Sequence, residues 1–285
     1  MYQDTYWIDK STNTFADNLA VFGLAFVIKT IAGDDAHVTL YDRGGAFAVT
    51  CNPPITEDQV ATCKFFVGAP FLITFVNKAK TKLVNGTDLA LTDIPPANGD
   101  TVVDYEDEKR NRAAFFDYRK TLSKDDQRKL ARRELIPPIN PHEHWEIFRA
   151  INPGALQGYN RLMAEWWRGQ NVFGAVLNLL LTATAQTPND IEGAEAAWKA
   201  LCKSQGWKSK DATAAQLFNP AQGKGTNNIK AEWRDPNNAK AFWLIEWLRT
   251  VGLFNSAITR TPSNTKDRKT YVLAPTNLAW GTHER

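Results

Sequence analysis

Residues 219–233 read NPAQGKGTNNIKAEW. Gly223 and Gly225 bracket Lys224, and Asn227, Asn228 and Lys230 follow. Cations, amide donors and glycines that permit close backbone approach suit contact with a sugar-phosphate backbone or a base edge. A nucleotide-binding P-loop needs G-x-x-x-x-G-K-[ST] between a strand and a helix, so that backbone amides cradle phosphates. Here Gly225 follows the lysine where Ser or Thr belongs, and Phe218 occupies the place of the first glycine. The preceding DATAAQLF has helical rather than strand character. The P-loop is excluded on spacing. Two uses stay open: a nucleic-acid contact and a solvent-exposed connector.

Other chemistry-bearing groups are sparse. Asp34 and Asp35 form a Gly-Asp-Asp run, and paired aspartates on a palm-like sheet can hold two divalent metals. Such a pair belongs in the hairpin between the second and third strands, where this chain has DRGG; a helix stop followed by a polar turn is the competing reading. His142 and His144 make an H-x-H pair without a nearby Cys or His partner, and Glu146 stands where H-E-x-x-H would need its second histidine. A helix N-terminus with an acidic first turn competes there. No G-x-S-x-G elbow occurs. Cys51, Cys63 and Cys202 match no zinc spacing and leave an odd thiol, which fits a reducing, cytoplasmic setting. The segment 109–133 mixes Lys and Arg, ending in Arg132 and Arg133, with Phe115, Phe116 and Tyr118. Arginine forks suit phosphates and exposed aromatics stack on bases; a salt-bridge-laced surface helix with inward aromatics is the alternative.

The elements that must position these groups begin with TYWIDK, a short strand at 5–10. Over 14–33, Phe15, Leu19, Phe22, Phe26, Val27 and Thr30 recur at helical spacing, with Gly33 as a stop. HVTLYD and GAFAVTC flank a turn, ITEDQVATC reads as a short helix, and PFLITFVNK (70–78) as a buried strand. The order β-α-β-β-α-β predicts a ferredoxin-like unit over 1–78, with a turn-rich connecting segment at 79–105. Residues 106–285 read as a mainly helical, basic, Trp-rich region with helices near 106–134, 143–151, 155–168, 172–186, 190–205 and 238–253. In the last of these, Asn237 or Asn238 would cap the start and Gly252 the end. A β-hairpin with a basic tip (Lys266, Arg268, Lys269) follows at about 256–275. The fold class is α+β.

Composition is globular: 43% hydrophobic and 23% charged residues, with ten tryptophans that fall mostly after position 140. The apolar run 171–186 is too short and interrupted to span a bilayer, and MYQDTYWIDK lacks the features of a signal peptide, so no membrane partner is expected. The net charge of +3 hides an asymmetry. Residues 1–105 carry seven Lys/Arg against twelve Asp/Glu (7 − 12 = −5), and the remainder carries 27 against 19 (27 − 19 = +8). A polyanion would therefore meet the C-terminal two thirds; an ordinary solvated basic surface is the alternative.

Three stretches, YWIDKSTNTFADNLAVFGLAFVI, HEHWEIFRAINPGALQGYNRLMAEWW and KDRKTYVLAP, together resemble the large subunit of Cascade, the RNA-guided DNA surveillance complex of type I CRISPR systems, in an N-terminal or compact form. The resemblance implies a non-catalytic subunit without cofactor or metal. It would sit at the 5′ handle of the guide RNA, read the short motif beside the target in double-stranded DNA, start strand opening and recruit a helicase-nuclease. Its partners would be guide RNA, target DNA, other Cascade subunits and that nuclease. Many such subunits are longer and carry a C-terminal helical bundle, a departure that fits the role only if a separate small subunit supplies that bundle. Within that role, Gly223, Lys224, Gly225, Asn227, Asn228 and Lys230 are placed as nucleic-acid contacts by their chemistry, together with Arg132, Arg133, Lys266, Arg268 and Lys269. Two readings from other classes compete: a metal-dependent nucleotidyl enzyme using Asp34 and Asp35, and a protein scaffold docking a partner through its tryptophans.

Overall fold

The computed structural model describes residues 2–77, 80–83, 102–150, 156–208, 242–260 and 269–284. The first elements in chain order are β1 (Thr5–Asp9), α1 (Phe15–Ala32), β2 (His37–Asp42), β3 (Ala46–Asn52) and α2 (Glu57–Thr62). Next come β4 (Phe71–Asn77), β5 (Lys80–Leu83), β6 (Val102–Asp104), α3 (Tyr105–Thr121), α4 (Lys124–Ala131) and α5 (Trp145–Ala150). The remainder are α6 (Leu156–Arg168), α7 (Phe173–Ala183), α8 (Ile191–Ser204), α9 (Trp243–Ser256), β7 (Ala257–Arg260), β8 (Lys269–Val272), β9 (Asn277–Ala279) and α10 (Trp280–His283). The architecture is mixed α and β. It divides into two compact units, residues 1–69 with 158–285, and residues 70–157.

In the first unit, β1, β3, β2 and β9 form an antiparallel sheet in that order. Register places Tyr6 opposite Val49, Ile8 opposite Phe47, and Leu40 opposite Val49, so these buried side chains share one face. The expected β-α-β-β order is present, with β3 between β1 and β2. The fourth strand of the expected ferredoxin-like sheet is not: β4 pairs with β5 and β6 in the other unit. The outer edge of β1, where a fourth strand would pair, is occupied by the chain after α7. The Trp7 amide donates to the Thr184 carbonyl at 2.6 Å, and the Asp9 amide to Asn189 Oδ1 at 3.0 Å. Asn189 Nδ2 returns a bond to the Trp7 carbonyl at 3.0 Å, so the edge has its hydrogen bonds without another strand.

Helix α1 starts at a Thr14 cap and stops at Gly33, whose φ of 86° glycine adopts without strain. Its expected single apolar stripe is not what the fold uses. Phe15 and Thr30 are exposed and Phe26 is half-buried, while Ala16, Leu19, Ala20, Val21, Phe22, Leu24, Ala25, Val27 and Ile28 are buried around the whole circumference. By length and mean hydropathy (1.6) α1 could cross a membrane, yet 67% of it is buried inside the protein. It runs against α9, and Gly252, expected as the stop of that helix, lies within it at the crossing; α9 continues to Ser256. The expected caps Asn237 and Asn238 lie outside the described residues.

The aromatic surplus forms the interior of this unit. Trp166 and Trp247 stack at 3.5 Å between ring centroids, with Phe66 and Phe173 packed around Trp166. Trp166 Nε1 donates to the Phe66 carbonyl at 2.6 Å. Trp166, Trp198, Trp243, Trp247 and Trp280 are fully buried, so they are not available as a docking face.

The compact units differ from a linear division into 1–78, 79–105 and 106–285, because the C-terminal chain returns to the N-terminal elements, α9 against α1 and β9 on the edge of β2. The second unit holds the sheet β5-β4-β6, in which β4 and β6 run parallel. Asp104, ending β6, caps α3 by accepting from the Glu106 and Asp107 amides.

Candidate nucleic-acid interface

The second unit anchors only one end of its helical region. Glu108 Oε1 accepts from the His142 amide at 2.6 Å. Arg112 lies 5.1 Å from the Phe116 and Trp145 ring centroids and pairs with Glu146. The His142 ring packs tilted against Phe148 at 4.8 Å between centroids. Beyond these contacts no residue from Lys109 to His144 is buried. The stretch containing α4 and the chain up to His144 is thus an arm without a core of its own.

The cations of this region fall into a paired and an unpaired set. On α3 three cations are paired along the helix: Lys109 with Glu106 at 3.6 Å, Arg110 with Asp107, and Lys120 with Asp117 at 2.8 Å. On α4, Ser123 caps the first turn by accepting from the Asp126 amide at 3.1 Å. Both acids of that turn then face Lys129, Asp125 at 3.2 Å and Asp126 at 3.7 Å, which holds the Lys129 ammonium above the usual lysine range. Lys124, Arg128 and Arg132 recur every fourth residue and are exposed, and none has a carboxylate partner among the described residues. Arg119 and Arg133 are exposed and unpaired in the same sense. The stripe spans about 12 Å of helix axis. It is a row of fixed positive charge for which the described residues supply no carboxylate partner.

The hairpin β7–β8 repeats the pattern in the first unit. Its register sets Arg260 directly opposite Lys269, two exposed like charges, which disfavours the pairing unless an anion sits between them. Thr259 and Thr270 hydroxyls pair beside them at 3.2 Å, and the Tyr271 ring is 54% exposed. Cations beside an exposed aromatic ring suit a phosphate backbone with a stacked base.

Of the residues named from sequence, Arg132, Arg133 and Lys269 are therefore placed on these two surfaces. Gly223, Lys224, Gly225, Asn227, Asn228, Lys230, Lys266 and Arg268 lie outside the described residues. Lys124, Arg128 and Arg260 were not singled out from sequence. The four-residue spacing of the first two is visible there once α4 is delimited, whereas the Arg260–Lys269 pairing depends on hairpin register.

The sequence's other candidates fall elsewhere. Asp34 and Asp35 are exposed in the turn after Gly33, where the Asp34 carbonyl accepts from Lys29 Nζ at 2.8 Å. His142 Nδ1 accepts from the His144 amide at 3.1 Å, and burial pushes the His144 pKa below its ordinary value. Among the described residues no group of three or more His, Cys, Asp or Glu side chains is placed to hold a metal. Burial raises the pKa of the Cys51, Cys63 and Cys202 thiols, the opposite of what a nucleophile needs. No family model, curated protein or solved structure matches the chain.

Proposed function

We propose that this chain is a non-catalytic, nucleic-acid-binding subunit of an RNA-guided effector complex, in the role of the type I Cascade large subunit. The observation that carries the binding part is the Lys124–Arg128–Arg132 stripe, cations without a carboxylate partner among the described residues, following a helix on which Lys109, Arg110 and Lys120 are paired. A nucleic-acid strand, with a charge every ~3.4 Å of axis, supplies the missing anions and releases counterions as it docks. The Arg260–Lys269 pair gives a second anion-seeking surface, and the Gly/Asn/Lys loop 223–230 a third in chemistry alone. The RNA-guided role rests on the three resembling stretches. Within it, β1-α1-β2-β3 counts as the first half of a ferredoxin-like unit, completed at the β1 edge by loop rather than strand.

The test is binding of the full chain, alone and with guide RNA and partner subunits, to labelled duplex DNA, single-stranded DNA and RNA across a salt series. Expected is an affinity falling steeply with salt, and a log–log slope reduced by about 2–3 when Lys124, Arg128 and Arg132 are changed together to Ala. Absence of salt-dependent binding in every format would refute the proposal.

A further inference from the structure

Helix α4 ends on an arginine in a place that favours glycine. The Glu134 amide donates to the Lys129 carbonyl at 2.9 Å and the Arg133 amide to the Leu130 carbonyl at 3.1 Å, the two bonds of a Schellman cap. That cap puts Arg133 at φ 61°, where a Cβ crowds the neighbouring carbonyl. Elsewhere the described chain meets positive φ with Gly33, Gly44, Gly68 and Gly206, or with Asn13, a residue type that tolerates it. Arg133 alone departs from that rule.

Among the described residues no side chain compensates. Arg133 is exposed and has no carboxylate partner among the described residues. Compensation by the helix dipole is already supplied, since Arg128 and Lys129 occupy the last turn and Arg132 is the C-cap. What the arginine does add is one more unpaired guanidinium directly after the Lys124–Arg128–Arg132 stripe.

We infer that Arg133 is a phosphate-contacting residue, kept at a strained helix cap because its guanidinium is used on a nucleic-acid backbone at the end of that stripe. The inference rests on the nucleic-acid-binding reading above and names a position within it. Backbone strain retained at an exposed site and compensated only by a ligand is a feature of binding surfaces.

The experiment separates charge from fold in one substitution. Arg133→Gly removes the cation and relieves the backbone, and Arg133→Asn does the same with a residue that tolerates positive φ. In the full chain, both variants are expected to melt at or above the parent temperature, Arg133→Gly by about 1–3 °C. Their affinities for duplex DNA, single-stranded DNA or RNA of equal length should drop about 3–10-fold, with the salt slope smaller by about 1. Arg133→Lys should keep the slope while losing part of the affinity, because lysine lacks the two-pronged fork. A lower melting temperature for Arg133→Gly would make the arginine a structural cap and overturn the inference. So would parental affinity and slope in Arg133→Gly on every nucleic acid that the parent binds. A parent chain that binds none of them overturns the broader reading, and this one with it.

Discussion

Gly252→Ala tests the helix crossing on which the first unit is built. An ideal Cβ at Gly252 would lie 1.8 Å from the Leu19 carbonyl oxygen, and one at Gly23 would lie 2.0 Å from the Leu248 carbonyl oxygen. The two contacts are reciprocal, four residues apart on each helix, so α1 and α9 pass antiparallel with backbone against backbone. A real Cβ essentially never comes within 3.0 Å of such an atom, so the helices must part by at least about 1.2 Å. Parting them loosens Leu19, Phe22, Leu248 and Val251, all fully buried at that seam. Overpacking and lost contact cost about 4 kcal/mol, and alanine's better helix propensity returns about 1. The net loss of about 3 kcal/mol corresponds to a fall of about 6–12 °C in melting temperature for a unit of this size. Differential scanning calorimetry or circular dichroism melts measure it, with Gly281→Ala as control, where a Cβ meets nothing within 4 Å. If Gly252→Ala melts within about 2 °C of the parent, the close crossing is wrong and so is the placement of α9 on α1.

Three further substitutions probe other parts of the fold. Arg249 is buried with Glu246, its ion-pair partner on the same helix, and with Asp17 of α1 at 3.5 Å; Arg249→Met should cost about 3–5 kcal/mol in chemical denaturation, and adding Asp17→Asn and Glu246→Gln should recover part of it. His144 has its pKa lowered by desolvation, so its neutral form stabilises the second unit. That contribution is complete above the ordinary histidine pKa of about 6.5 and is lost as pH falls through the folded value; His144→Gln should flatten the pH dependence of melting below about pH 6.5, and an unchanged curve would count against it. Asp42 is held below the usual carboxylate range by the hydrogen bond from Lys10 at 2.6 Å and by the Gly44 amide. Lys10→Met should move the Asp42 carboxyl titration, followed by NMR, upward; no movement would mean that the bond is absent in solution. For the loop read first, Lys224→Ala with Lys230→Ala should weaken nucleic-acid binding without shifting the melting temperature, whereas a mere connector would leave binding unchanged.

What the sequence carried was local. The strand-helix-strand-strand order of the first fifty residues, the Gly33 stop and the β7–β8 hairpin follow from spacing and turn chemistry, and the fold has them. What it did not carry was partnership at long range. PFLITFVNK is a strand by composition, but composition does not say which sheet it joins. It pairs with β5 and β6, while Thr184 and Asn189 reach back to the β1 edge. Gly252 reads as a helix stop by residue type, and only the proximity of α1 turns it into a crossing point. The tryptophans read as a core or a docking face, and burial of Trp166, Trp198, Trp243, Trp247 and Trp280 puts these five in the core.

The same distinction separates the basic residues. Net charge counts Lys109, Arg110 and Lys120 alongside Lys124, Arg128 and Arg132, but the first three have their anions one helical turn away and the second three do not. A cation already paired with its own helix gains less from a phosphate, since docking exchanges one weak ion pair for another; an unpaired one gains the full interaction and releases a counterion. Substituting the paired set should therefore change the salt slope less, charge for charge, than substituting the unpaired set. Matched triple-alanine variants of the two sets, Lys109/Arg110/Lys120 and Lys124/Arg128/Arg132, make that comparison at equal change in net charge. Equal slopes from the two would mean that the arm acts by bulk charge alone, and the assignment of individual residues on α4, Arg133 included, would fall with it.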